Sequence, residues 1–259
     1  MNEIWFSHIK SVKESRLNIF CFPYVGGSPS FYAPWKRLLP ENIGWYPVLY
    51  PGRELRKNEE ITDSVDELVG EFILDNGDLL QQAPVVFMGH CTGTILAYES
   101  AKEMERRLGR PPELVVLSSS LDPQLSTKKL LKEIANDRRS ERSEENLILN
   151  FLRKHHMIPL QILEMEGFCE YFLPIYIKDL KMFMNYKLES KYQINTKAFI
   201  LYGNQDEMIS SEEIVGWRDF FQSDVMIEKK EGDHYFINHY REEVISKIVE
   251  IAKGIDSIE

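Results

Sequence analysis

A cysteine lies between two glycines in Gly89-His90-Cys91-Thr92-Gly93, directly after the apolar run Pro84 to Met88 and before a helical stretch that begins at Thr94. This is the G-x-S-x-G nucleophile pattern with cysteine in the nucleophile position, between a strand and a helix as that sharp turn requires. Small flanking residues let neighbouring backbone approach the turn and leave the central side chain exposed at the strand's end. The pattern predicts covalent catalysis by Cys91. The alternative is an inert buried cysteine in a glycine-rich turn.

A nucleophile of this kind needs a carboxylate and then a histidine further along the chain. Asp206 follows an apolar run that ends at Tyr202, and His234 follows the run Val225 to Glu228. Loops after strands suit both roles, so Asp206 is the predicted acid and His234 the predicted base. Glu207 is the competing carboxylate, and a solvated loop acid or loop histidine is the alternative. The other histidines are expected to be structural or exposed: His8, His90, His155, His156 and His239.

Attack on a carbonyl also needs backbone N–H groups that stabilise the developing oxyanion. One donor normally follows the nucleophile and the other lies in the loop after an early strand. Thr92 and Val25 hold those two positions, and Gly26-Gly27 beside Val25 tolerates a close backbone approach.

The elements that must position these residues alternate between strand-like and helical segments. Apolar runs of strand length are followed by helical spacing, which predicts an α/β domain with a mostly parallel central sheet and helices on both faces. The expected strands begin at Leu17, Trp45, Pro84, Glu113, Lys197 and Val225, and the expected helices include Phe31–Leu39, a segment capped by Thr62 or Asp63, and Arg241–Ala252. Residues 122–190 show no strand pattern and are interpreted as a helical insertion in a single domain, 1–259.

Composition excludes several classes of protein. The 259 residues carry a net charge of −10, which disfavours nucleic acid and anionic lipid. No apolar run reaches membrane-spanning length and the N-terminus lacks a signal-peptide pattern, so we expect a cytoplasmic protein. The cysteines Cys21, Cys91 and Cys169 lack zinc-ligand spacing, and nucleotide-binding patterns are absent. We therefore expect no metal and no cofactor.

With these residues in place, the chain resembles the type II thioesterases of nonribosomal peptide and polyketide assembly lines. The resemblance spans nearly the whole chain and rests on the following segments: Phe22-Pro23-Tyr24-Val25-Gly26-Gly27-Ser28 with Pro34-Trp35, Tyr50-Pro51-Gly52-Arg53-Glu54, the turn at Cys91, Tyr202 to Asp206, and Gly232 to Phe236. It implies an α/β-hydrolase fold in which 122–190 form a helical lid. It also implies a triad of Cys91, Asp206 and His234, with Val25 and Thr92 as oxyanion donors.

Two residues depart from that family. Tyr24 stands where histidine is usual, and Cys91 stands where serine is usual. A cysteine nucleophile forms an acyl-enzyme that is itself a thioester, close in energy to the thioester attacked, so its acylation is reversible. Thioesters react with amines far more readily than with water. Acyl transfer to an amine or thiol, or ring closure, therefore stands beside hydrolysis, and a catalytically silent binding module is the third alternative.

The resemblance further implies acyl or peptidyl carrier proteins as partners, with phosphopantetheine present only as part of the substrate. Carrier proteins are commonly acidic, so docking on this acidic chain requires a local basic patch. Residues in the insertion that could form one are Lys128, Lys129, Lys132, Arg138, Arg139 and Arg142, and those that could line an acyl channel, or pack the lid on the core, are Met157, Met165, Phe168, Tyr171, Phe172, Met182 and Phe183. We expect a monomer.

Overall fold

A computed structural model describes residues 3–137, 144–154 and 167–253. Its strands are β1 (Leu17–Phe22), β2 (Ile43–Pro47), β3 (Val85–His90), β4 (Leu114–Ser118), β5 (Lys197–Gly203) and β6 (Val225–Lys230). Within these ranges they form one six-stranded sheet in the order β2-β1-β3-β4-β5-β6, and every neighbouring pair is parallel. The predicted α/β class with a mostly parallel sheet is confirmed.

The α-helices are α1 (Val65–Asp75), α2 (Gly77–Gln81), α3 (Gly93–Leu108), α4 (Pro123–Asp137), α5 (Glu144–Lys154), α6 (Leu173–Asn185) and α7 (Arg241–Lys253). The described part of 122–190 contains α4, α5, α6 and a π-helical turn, Phe168–Phe172. No β-strand lies in this described part. The single-domain organisation, the insertion and its action as a lid stay predictions. In the described ranges, no helix has both the length and the apolar character needed to cross a bilayer.

Hydrophobic side chains cover both faces of the sheet. One face packs on α1 and α3 around buried aromatic residues such as Phe20, Phe72 and Phe87. The other packs on α7 and on a 3-10 helix, Pro29–Leu38, around Trp35 and Trp45. This two-sided burial explains why the strands read as continuous apolar runs rather than alternating ones.

Two helix starts differ from the sequence prediction. Ser64, rather than Thr62 or Asp63, caps α1 by accepting a hydrogen bond from the Glu67 amide at 3.2 Å. The segment predicted as the helix Phe31–Leu39 is the 3-10 helix Pro29–Leu38, with Ser28 as its cap. Pro34 lies inside it and lacks an N–H group, so a regular α-helical ladder cannot run through that point.

The parallel register brings the carboxyl ends of the central strands to one edge of the sheet. Phe22 at the end of β1 pairs with Gly89, and His90 at the end of β3 pairs with Ser118. Tyr202 near the end of β5 pairs with Lys229. The loops that carry the candidate site residues therefore emerge side by side.

Candidate active site

The turn after β3 holds Cys91 in a strained conformation. Its φ of 53° is left-handed, which costs an L-residue roughly 1–2 kcal/mol. The flanking glycines are sterically required, because a Cβ on Gly89 would lie 2.2 Å from the Gly93 carbonyl oxygen, and a Cβ on Gly93 would lie 2.2 Å from that of Phe22. The Cys91 amide donates to the Ser118 carbonyl at 2.8 Å, which fixes the turn to β4. The structure thus has the sharp turn that the G-x-C-x-G pattern predicts.

The predicted acid and base lie in contact. Nδ1 of His234 is 2.8 Å from Oδ2 of Asp206, and both side chains are buried. The other carboxylate oxygen, Oδ1, accepts from the Met208 amide at 3.0 Å. Ser119 Oγ donates to the His234 carbonyl at 2.9 Å, so the histidine loop is fixed to the end of β4. Glu207, the competing carboxylate, is exposed.

The imidazole of His234 also interacts with Cys91. Its Nε2 atom is buried and has no hydrogen-bond partner among the described residues. Burial disfavours the charged ring, but the electrostatic interaction with Cys91 and the hydrogen bond with Asp206 outweigh it and raise the pKa of His234 to about 10. The structure therefore brings Cys91, His234 and Asp206 together, and their action as a triad stays a prediction.

His90 lies closer to this group than we expected. Its ring centroid is 5.2 Å from that of His234, and it stacks on Phe31. Burial and the charge of His234 hold the pKa of His90 well below its ordinary value. Nδ1 of His90 lies 3.1 Å from Ser118 Oγ, which agrees with the expected structural role. His90 is thus a neutral side chain in the wall of the site.

The loop 23–28 after β1, here called the β1 loop, reaches the start of α3. The Val25 amide, predicted as an oxyanion donor, donates to Thr92 Oγ1 at 2.8 Å. The next amide, that of Gly26, donates to Asp179 Oδ2 at 2.8 Å. Both residues predicted for the oxyanion site are therefore adjacent, and in this structure the Val25 donor already has an acceptor within the protein.

A buried ion pair fixes the β1 loop from the far side. Arg53 and Asp179 are each only 3% exposed and form a bidentate pair, with N–O distances of 2.8 and 2.5 Å. Arg53 also donates to the Gly27 carbonyl at 2.8 Å. Because Asp179 belongs to α6, this Arg53–Asp179 clamp joins the insertion to the β1 loop. Arg53 stands out in the sequence only as part of the family resemblance, and no sequence pattern indicates its partner.

Tyr176, one helical turn before Asp179, packs on the same loop. Its ring occupies the space that a Cβ on Gly26 would need, with Cδ2 only 2.2 Å from that position. Its hydroxyl is buried and has no hydrogen-bond partner in the described chain. Burial, followed by the charge of Cys91, raises the pKa of Tyr176 well above its ordinary value. Sequence reasoning missed this residue.

The proposed acyl channel is only partly described. Met182 and Phe183 are buried at 2% exposure in the hydrophobic core, so they serve lid-to-core packing, the alternative to a channel. Tyr171 and Phe172 are surface residues at 46% and 47% exposure. Met157, Met165 and the Phe168 side chain lie outside the described residues, as do Arg138, Arg139 and Arg142 of the basic patch.

Among the residues described, no three His, Cys, Asp or Glu side chains lie together as a metal site. The expectation of no metal and no cofactor stays a prediction.

Comparisons with known proteins identify the family. The thioesterase domain model matches residues 17–251. Thioesterase PikA5 of Streptomyces venezuelae is 23% identical over 95% of this chain and 84% of its own length. The type II thioesterase BorB from the borrelidin biosynthetic cluster superposes with a TM-score of 0.79 at 21% identity, over 98% of both chains. ClbQ from the colibactin NRPS/PKS pathway also gives 0.79, at 18% identity over 95% of this chain and all of its own.

These neighbours have the α/β-hydrolase fold, and the six-stranded parallel sheet described above agrees with it. The matched family covers both the turn at Cys91 and the loop of His234. The chain therefore belongs to the thioesterase family and is an acyl-thioester hydrolase.

Proposed function

We propose that the protein hydrolyses acyl, aminoacyl or peptidyl thioesters held on the phosphopantetheine arm of carrier proteins, with a triad of Cys91, His234 and Asp206. The observation that carries the proposal is the strained turn at Cys91 beside a buried His234 that is hydrogen-bonded to Asp206. The names of the relatives support the setting, since one is a type II thioesterase of a biosynthetic cluster and another belongs to an NRPS/PKS pathway.

Acylation begins from a Cys91 thiolate beside a protonated His234. The raised pKa of His234, about 10, means that its imidazole is protonated at neutral pH. The sulfur attacks the thioester carbonyl, and backbone N–H groups at the start of α3 stabilise the oxyanion. When the tetrahedral intermediate collapses, the carbon–sulfur bond to pantetheine breaks and His234 gives its proton to the leaving thiolate. The acyl group is then a thioester on Cys91.

Deacylation uses the now neutral His234 as a general base. It removes a proton from water as the oxygen attacks the Cys91 thioester, and collapse releases the acid and the Cys91 thiolate. Asp206 keeps the imidazole oriented in both steps. Glu207 is exposed and cannot replace it in that orientation.

The sulfur nucleophile favours a second candidate, an acyltransferase or cyclase. Because the acyl-enzyme is a thioester, an amine or a second carrier thiol that reaches Cys91 competes strongly with water. The first half-reaction is the same in both candidates, and only the second nucleophile differs.

Intact-mass measurement with an acyl-pantetheine substrate tests these alternatives. An adduct that water removes supports the hydrolase, and an adduct that only an added amine or thiol removes supports the transferase. Binding without an adduct means a silent module and contradicts both. Cys91→Ala must abolish the adduct, whereas Cys91→Ser is expected to hydrolyse acyl thioesters detectably, since its oxygen ester commits the acyl group to the enzyme.

Carrier docking is proposed on the basic side of α4. Lys128 and Lys132 are exposed there, while Lys129 pairs with Glu213 at 2.5 Å. Charge reversal by Lys128→Glu with Lys132→Glu should raise the apparent KM for a carrier-bound substrate and leave that for a small acyl-pantetheine unchanged. Equal effects on both substrates would contradict docking at this face.

A further inference from the structure

The residue after the nucleophile carries a hydroxyl in an unusual position. Thr92 adopts helical dihedrals, φ −62° and ψ −24°, and its side chain does not cap α3. Instead Thr92 Oγ1 accepts the Val25 amide at 2.8 Å. An oxyanion bound by that amide would sit at about 2.7–3.1 Å along the same N–H direction, so the hydroxyl oxygen occupies the place where the oxyanion would lie.

The neighbouring amide does not offer a replacement. Gly26 N–H donates to Asp179 Oδ2, and that carboxylate is itself fixed by the buried Arg53. Turning this amide toward a substrate would leave the Asp179 oxygen without one of its donors. The β1 loop therefore presents no open backbone donor at either Val25 or Gly26.

The hydroxyl proton of Thr92 is the donor that remains. Its oxygen receives a hydrogen bond from Val25, and no acceptor for its own proton is found among the residues described. Hydrogen bonds in series polarise one another, so an accepted bond from Val25 makes the Thr92 hydroxyl a stronger donor. Because this hydroxyl contacts the Val25 amide, a predicted oxyanion donor, it lies at the predicted oxyanion site.

We propose that the Thr92 side chain is a catalytic residue that donates its hydroxyl hydrogen bond to the thioester oxyanion, backed by the Val25 amide. The inference rests on the proposed function, because it presumes that Cys91 is acylated. The Thr92 backbone N–H is the second donor, since the first turn of a helix leaves its amides without intrahelical acceptors. No covalent bond to Oγ1 forms or breaks, and its proton remains on the hydroxyl throughout.

The alternative is that Thr92 only plugs the site and rotates away when substrate binds, freeing Val25. Three variants separate the two with a small acyl-pantetheine as substrate. Thr92→Ser keeps the hydroxyl and should stay within about threefold of wild type. Thr92→Val keeps the shape without the hydroxyl and should lose about 10²-fold in kcat with little change in KM, the usual cost of one oxyanion donor. Thr92→Ala opens the Val25 amide, and our proposal expects it to be slow as well.

An acyl aldehyde supplies a readout that a structural role would not change. It forms a tetrahedral hemithioacetal with Cys91, and its affinity should fall in Thr92→Val by the same factor as kcat/KM. A Thr92→Ala variant as fast as wild type, or a Thr92→Val variant with unchanged aldehyde affinity, would overturn this inference. Failure of wild type to form any adduct would instead refute Cys91 as the nucleophile, and melting temperatures of all three variants report their folding.

Discussion

Two groups of residues at the same edge of the sheet are held in place in different ways. The proposed triad lies in loops that follow β3, β5 and β6, and short bonds from Cys91 to Ser118 and from Ser119 to His234 fix two of these loops to the end of β4. The β1 loop is held by Arg53 and Asp179, which are 126 residues apart and meet in a buried ion pair. The reactive groups are therefore positioned by the sheet itself, whereas the β1 loop, on the predicted oxyanion side, depends on α6. Substitutions should therefore separate activity from stability.

The largest effect is expected from Asp206→Asn, which tests the triad side. The amide cannot support the charged imidazolium, so kcat/KM should fall by roughly 10³–10⁴-fold, as for other triads. The protein should stay folded, because asparagine keeps an oxygen that can accept from the Met208 amide. Glu207→Gln, one residue away and exposed, is the matched control and should keep full activity. A Glu207 variant as impaired as the Asp206 variant would contradict the assignment.

Substitutions in the Arg53–Asp179 clamp should change the free energy of unfolding. Asp179→Ala leaves Arg53 buried without its partner and should cost about 3–5 kcal/mol of unfolding free energy. Asp219→Ala, which removes an exposed pair with Lys191, should cost at most about 1 kcal/mol. The double variant Arg53→Met with Asp179→Leu should recover most of the loss, because no buried charge remains. Urea unfolding measures all three, and equal losses for both aspartate variants would refute the difference between the regions.

The protonation of His234 at different pH values tests the interactions within the proposed triad. Its folded-state pKa of about 10 lies above the ordinary 6.5, so the interactions of the protonated ring stabilise the fold fully below pH 6.5, and this contribution is lost as the pH rises toward 10. Cys91→Ser removes the thiolate and should lower the pKa of His234. Nitrogen NMR of the imidazole should find a protonated ring at pH 7.5 in wild type and a largely neutral one in Cys91→Ser. A neutral wild-type ring would contradict the charged pair.

The smallest expected effect is the change in stability caused by substituting Tyr176, which packs on the β1 loop near the Arg53–Asp179 clamp. Its buried hydroxyl lacks a partner among the described residues, so Tyr176→Phe should stabilise the fold by about 1 kcal/mol. Tyr50→Phe is the matched control, because its hydroxyl donates to the Pro23 carbonyl at 2.9 Å and its removal should cost about as much. Calorimetric unfolding measures both. Destabilisation by Tyr176→Phe would mean that its hydroxyl is bonded after all.

The sequence could predict what local pattern controls. The strands before Cys91 and Asp206 are largely apolar runs, the strand before His234 begins with three apolar residues, and their parallel order brings the loops after them to one edge. The turn could be predicted from the sequence because backbone contacts at both flanking positions leave room only for glycine. The order of nucleophile, acid and histidine along the chain is enough to predict Asp206 as the acid and His234 as the base.

The remaining features could not be read because they depend on distant partners. Asp179 belongs to a segment with a helical pattern, in which an acidic residue is usually exposed. Only the tertiary structure shows that it is buried against Arg53. Likewise, the engagement of the Val25 amide by Thr92 Oγ1 depends on a side-chain rotamer, which no spacing reveals. The cap at Ser64 was missed for a simpler reason, since several adjacent residues are all good caps.

The left-handed backbone at Cys91 has a consequence for how such proteins diversify. The corner is shaped by main-chain contacts at Gly89 and Gly93, and it makes the same demand whether sulfur or oxygen hangs from the Cβ of the residue between them. Serine and cysteine codons can differ by one base. Exchanging a single atom at this turn could therefore change the acyl-enzyme from a thioester to an oxygen ester, and with it the balance between acyl transfer and hydrolysis, without any change in the backbone.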